Sequence, residues 1–244
     1  MQHKIVGTIM PVLEMTLQPN ELIFAESGEL SWISASIQLR TSTSAGGQQG
    51  GLFGVLGRAV AGGTLFMTEY WAQGGEGLVA FAAKLPGQIM PLEIAPNAGY
   101  MVHRHGFKCA VPGVKFQVGF QQRLGAGVFG GTGFRMQHLS GQGLAFVELH
   151  GEVVVYDLQP GNTIRVHPGH VGMYQESVQF SVTTVPGIKN ALFGGDGLFL
   201  ATLTGPGRVW LQSMTLPHLA HAIAEYLPHP SGEGSLIGNL LQGS

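Results

Sequence analysis

Ten histidines and a lone cysteine are the side chains of this 244-residue chain whose chemistry is worth testing first. His103 and His105 stand two apart in YMVHRHGF, so on a strand both imidazoles project from one face, as paired ligands of a metal do. A carboxylate should follow within a few residues to complete such a motif, and Gly106-Phe107-Lys108-Cys109 offers none. Counting seven positions on from Pro19, Pro96 and Pro160 reaches Glu26, His103 and His167, so a threefold axis would relate three candidate metal ligands. Their turn-forming neighbours, Glu26-Ser27-Gly28 and His167-Pro168-Gly169-His170, instead favour exposed loop positions. His218, His221 and Glu225 fall on one face of a helix, a pattern that more often belongs to a solvated surface.

Other chemistries find less support. Cys109 is the single cysteine, which removes any intrachain disulfide or cysteine-based zinc site and leaves the expectation of a small buried apolar side chain. There is no G-x-S-x-G elbow, and no Walker or dinucleotide fingerprint follows a strand. The glycines at 125, 127, 130 and 131 lack the lysine and helix of a phosphate loop. The sequence therefore names no catalytic residue and implies no cofactor.

The elements that must carry these residues are written three times. MTLQP, LEIAP and YDLQP, ending at Pro19, Pro96 and Pro160, each open a copy. Then come Gly62-Gly63, Gly130-Gly131 and Gly194-Gly195, followed by Gly75/Gly77, Gly141/Gly143 and Gly205/Gly207 ahead of apolar runs. The last two copies keep one interval, since 160 − 96, 194 − 130 and 207 − 143 all equal 64, whereas an insertion stretches the first. This predicts an all-β, sandwich-like body of three pseudo-threefold repeats, at about 5–85, 86–152 and 153–214, within a single domain over 1–230. GLAFVEL and GEVVVYDL, separated by His150-Gly151, read as the two strands of a hairpin. Thr215-Leu216-Pro217 reads as the start of a helix over 216–227, closed by Pro228 and Pro230. Residues 231–244 read as a flexible tail with the apolar stretch LIGNLL.

The insertion from Ser42 to Gly63 carries Leu52, Phe53, Val55, Leu56 and Val60 at spacings that wind into a short amphipathic helix. Those five residues are the candidate interaction surface, against a sheet edge, a subunit or a bilayer. With 39 glycines, 11% charged residues and a net charge of −2, composition favours tight turns and subunit contacts, hence a homo-oligomer. Scattered Lys and Arg exclude nucleic acid as a partner. No segment approaches the roughly 20 apolar residues of a membrane span, and no targeting signal opens the chain, so a bacterial cytoplasmic location is expected.

GLFGVLGRAVAGGTLF from Gly51, FGGTGF from Phe129, SGQGLAFVELHGEVVVYDLQPG to Gly161 and GDGLFLATLTGPGRVWLQSM to Met214 together resemble the altered-inheritance-of-mitochondria protein 24 family. The resemblance implies a fold like that of the tryptophan RNA-binding attenuation protein, a double-stranded β-helix or sandwich in three equivalent parts. It also implies involvement with membrane-associated protein partners, as for the mitochondrial members. It supplies no catalytic residues. The expectation is therefore a non-enzymatic scaffold, with a metal-dependent enzyme or small-ligand binder using the histidines as the alternative.

Overall fold

A computed structural model describes residues 1–43, 66–122, 134–185 and 198–227. The insertion residues Leu52, Phe53, Val55, Leu56 and Val60, the three Gly-Gly pairs and the 231–244 tail lie outside the described residues. Within them the chain is all-β, with open sheets that form a sandwich-like body and one C-terminal α-helix.

The first third contains β1 (Gln2–Val6), β2 (Val12–Leu17), β3 (Leu22–Glu26), β4 (Trp32–Ile33), β5 (Ile37–Thr43), β6 (Phe66–Ala72) and β7 (Gly77–Ala82). The second contains β8 (Gly87–Ile94), β9 (Tyr100–His103), β10 (Phe107–Ala110), β11 (Val114–Gln122), β12 (Phe134–Gly141) and β13 (Gly143–His150). The third contains β14 (Val153–Leu158), β15 (Thr163–Val166), β16 (Val171–Gln175), β17 (Gln179–Val185), β18 (Leu198–Thr204) and β19 (Gly207–Gln212), and α1 (Leu216–Ala224) follows.

The same antiparallel pairings occur in each third. An opening strand lies beside the closing one, as β2·β7, β8·β13 and β14·β19. A second group is β3·β6, β9·β12 and β15·β18, flanked by the hairpins β5·β6, β11·β12 and β17·β18. A third is β4·β7, β10·β13 and β16·β19. Two pairings cross from one third to the next, β3·β10 and β9·β16, and each produces a six-stranded sheet. The remaining strands make a four-stranded sheet, β1-β2-β7-β4, and a three-stranded one, β15-β18-β17.

Alternation in the sequence sets which faces are buried. In β2, VLEMTL, residues Leu13, Met15 and Leu17 are fully buried while the intervening positions stay partly open. Period-two burial is what one covered sheet face requires. β8 departs from this pattern, burying Ile89 in one apolar cluster and Leu92 and Ile94, on the opposite face, in another. The apolar side chains gather in three clusters, centred on Phe24, Phe107 and Phe116; on Tyr70, Phe81 and Phe146; and on Phe134, Tyr174 and Val209.

Two elements differ from their sequence reading. His150-Gly151 does not close a hairpin, because β13 pairs with β8 and β10 whereas β14 pairs with β19 in another sheet. Gly151, at φ +72°, redirects the chain between layers there. The helix stops at Ala224 rather than 227, its end tightened by Tyr226 N–H to Ile223 O and Leu227 N–H to Ala224 O, both spanning three residues. Its start is as read, with the Thr215 hydroxyl accepting from the His218 N–H at 3.3 Å.

Candidate functional site

The densest ionisable group among the described residues is a buried network joining β7, β10 and β13. Lys108, in the apolar strand FKCA, is fully buried, and its Nζ lies 2.9 Å from Glu29 Oε2 and 2.5 Å from Glu148 Oε2. The same ammonium donates to Ala82 O at 3.1 Å. Glu29 also pairs with Lys84, at the solvent side of the network. Glu148 Oε1 accepts the backbone N–H groups of Lys84 at 2.9 Å and Leu85 at 3.2 Å.

An isolated charge at such depth costs several kcal/mol, so its retention depends on these opposite charges and donors. Burial alone would raise the Glu148 pKa, but His150, Lys108 and the Leu85 N–H hold it down at about 2. The carboxylate stays charged and is committed to its neighbours. Cys109, the next residue, is buried as its composition predicts, and burial pushes its thiol far up, away from a reactive thiolate.

The acceptor position in this network recurs in each third, although the donors come from different places. The carbonyl of the residue at or near the end of the closing strand takes a side-chain nitrogen: Ala82 O takes Lys108 Nζ at 3.1 Å, Glu148 O takes His103 Nε2 at 2.9 Å, and Gln212 O takes His170 Nδ1 at 2.8 Å. Gln212, 64 positions after Glu148 (212 − 148), likewise accepts a backbone N–H, that of His150, at 3.0 Å through its side-chain oxygen. Their donors lie in β10, at the end of β9 and in the turn before β16, so different elements are tied to the ends of the closing strands, and the bonds stitch backbone rather than present groups to solvent.

The histidines singled out from the sequence fall in separate places. β9 ends at His103, and His105 lies in the following turn, closed by the Gly106 N–H to His103 O bond at 2.9 Å, so the two do not share a strand face. His103 is held against Glu148 O and packs edge-on to His150 at 4.9 Å between ring centroids. Burial, then the neighbouring His150, drives the His103 pKa down to about 3; burial, then Arg104, brings His105 to about 4. Both imidazoles are neutral near pH 7.

Glu26 is tied to Gln137, whose Nε2 donates to Oε1 at 2.5 Å, and burial together with the Glu29 charge raises its pKa to about 7. His167 sits with His170 and His218, at ring-centroid distances of 5.9 and 5.4 Å. Glu26 and His103 are the last residues of β3 and β9, His167 follows β15, and all three are half-buried rather than exposed. Among the described residues, no group of three or more His, Cys, Asp or Glu side chains is placed to hold a metal ion.

Sequence reading passed over Lys108, Glu148 and Glu29. The partners of Lys108 stand far from it in the chain, Glu29 by 79 positions and Glu148 by 40 (108 − 29 and 148 − 108). A usable signal was present: Lys108 and Glu148 each interrupt an apolar run, FKCA and GLAFVEL, with charges of opposite sign.

Comparison with known proteins agrees with this architecture. A crystal structure of protein SPYM3_0169 from Streptococcus pyogenes superimposes with a TM-score of 0.72 over 93% of this chain and 99% of that one, at 22% identity, and so shares the fold. An uncharacterized protein of Streptococcus pyogenes serotype M6 is 25% identical over 224 residues, covering 91% of this chain and 88% of its own length. The family model described as mitochondrial biogenesis AIM24 matches residues 3–214, nearly all of the β body, and the chain belongs to that family.

Proposed function

We propose that this protein is a non-enzymatic scaffold that associates with copies of itself and contacts membrane-associated partners from the cytoplasm. The observation that carries this reading is strand β14. Among the described residues it forms the outer edge of its six-stranded sheet, with β19 on one side only, and Val154, Val155 and Tyr156 are 49%, 45% and 42% exposed. An edge strand offers a row of backbone donors and acceptors to another chain, and consecutive apolar residues on both of its faces favour such pairing over hydration.

The strands that match β14 in the other two thirds are guarded. β2 is covered by β1, and β8 carries Pro91, which lacks an N–H. The buried network supports the same reading, because Lys108, Glu29 and Glu148 are engaged with one another and with backbone N–H groups. Matching pairings in the three thirds are read as one β unit repeated about a pseudo-threefold axis, which would set three comparable faces around the body. No helix among the described residues is long and apolar enough to cross a membrane, so contact with membrane-associated partners is read as peripheral.

Light scattering of the full chain tests self-association. An oligomer that becomes monomeric in the Val154→Lys/Tyr156→Lys variant is the expected result. A monodisperse monomer before any substitution overturns the reading.

A further inference from the structure

The two strand pairings that join one third to the next obey one register. Cys109 lies opposite Ala25 in β10·β3, and Met173 lies opposite Val102 in β16·β9. Cys109 and Met173 are 64 positions apart (173 − 109), and Ala25 and Val102 are 77 apart (102 − 25), the intervals that separate the sequence copies themselves. Applying the same intervals once more sets Trp32 of β4 opposite Val166 of β15, and Ile33 opposite Arg165. That third pairing is not made. Among the described residues β4 is an outer strand of the four-stranded sheet, and β15 is an outer strand of the three-stranded one.

Side chains at this place differ as well. Trp32 sets an indole, 46% exposed, where the two made junctions carry Cys109 and Met173, both fully buried. Ala82, at the end of the strand beside β4, has no side-chain acceptor where Glu148 and Gln212 bind backbone N–H groups. Less backbone pairing and less buried surface both lower the free energy needed for a local opening.

We propose that the body has a built-in seam between β4 and β15, and that it opens there, between its last third and its first, while the β3·β10 and β9·β16 junctions stay closed. This gives the fold one hinge despite three comparable parts, and it directs any opening to Trp32. The proposal does not depend on the scaffold reading, since a monomer would open at the same place.

Hydrogen exchange of the full chain, resolved by residue and corrected for intrinsic rates, tests it. Amides of Trp32, Ile33 and Thr163 to Val166 are expected to exchange at least tenfold faster than those of β10 and β16, and to be insensitive to low urea. Amides at the two made junctions should instead follow global unfolding. Equal protection at all three places overturns the proposal, and so does fast exchange that spreads equally to β10 and β16. A Trp32→Cys variant, putting at the seam the side chain found at the first made junction, should slow exchange of Thr163 to Val166 at least threefold; unchanged or faster exchange there counts against the role given to Trp32.

Discussion

Lys108 and Glu148 face each other from adjacent strands, Nζ to Oε2 at 2.5 Å, and neither side chain is reached by solvent. Removing one partner strands the other charge in a dry interior, and losses of about 3–5 kcal/mol accompany such changes. Lys108→Met should therefore lower unfolding free energy by about that amount, measured by urea denaturation. Glu148→Gln in the same chain should recover part of the loss. Strictly additive effects in this double-mutant cycle would show that the two charges are not coupled.

Glu26 makes stability fall as pH rises. Its folded pKa of about 7 lies above the ordinary 4.5, so between those values the folded state keeps a proton that the unfolded chain has released. Stability from this group is full below pH 4.5 and lost as pH climbs through 7. Glu26→Gln, which has no proton to lose, should be more stable than the parent at pH 8 by on the order of 2–3 kcal/mol and equal to it at pH 4. A constant difference across that range contradicts the assignment.

His103 acts in the opposite direction. With a folded pKa near 3 against an ordinary 6.5, it stays neutral in the folded protein while the unfolded chain takes up a proton below pH 6.5. Its contribution is complete above pH 6.5 and is lost progressively on acidification towards 3. Gln at position 103 can still donate to Glu148 O, and His103→Gln should remove about one proton from the uptake on unfolding at pH 5. Calorimetry in buffers of different ionisation enthalpy reads that number directly.

Gly143 and Gly207 hold one backbone shape, φ +142° and +143°, where the chain leaves one sheet for another. A Cβ at Gly143 would lie 2.7 Å from Val111 Cγ2, and at Gly207 2.6 Å from Ser177 Oγ. Alanine at either position combines strain with crowding and should cost on the order of 1–3 kcal/mol. Gly75→Ala, with no neighbour within 4 Å, should change thermal stability little. Similar melting temperatures for all three variants would remove the conformational argument.

Much of the fold is legible before coordinates because it rests on local requirements. Alternation in VLEMTL defines a covered strand face, and the glycines near 141–143 and 205–207 mark turns that L-residues resist. Thr215 announces α1 by capping it. The candidate site is less legible, since the partners of Lys108 come from a loop and a distant strand. The His150-Gly151 turn shows the same limit. Its residues require a reversal, yet they do not say whether the next strand returns beside β13 or joins β19 in another sheet.

By itself, then, the sequence determined an all-β chain, a capped C-terminal helix and a buried, inert Cys109, because propensity, capping and burial periodicity act over a few neighbouring residues. Only the tertiary structure decided that Lys108 meets Glu29 and Glu148, that His103 and His105 part at a turn, and that β4 and β15 do not pair with each other. Those outcomes depend on which distant strands lie side by side, and pairing between strands is selected by the packing of whole faces.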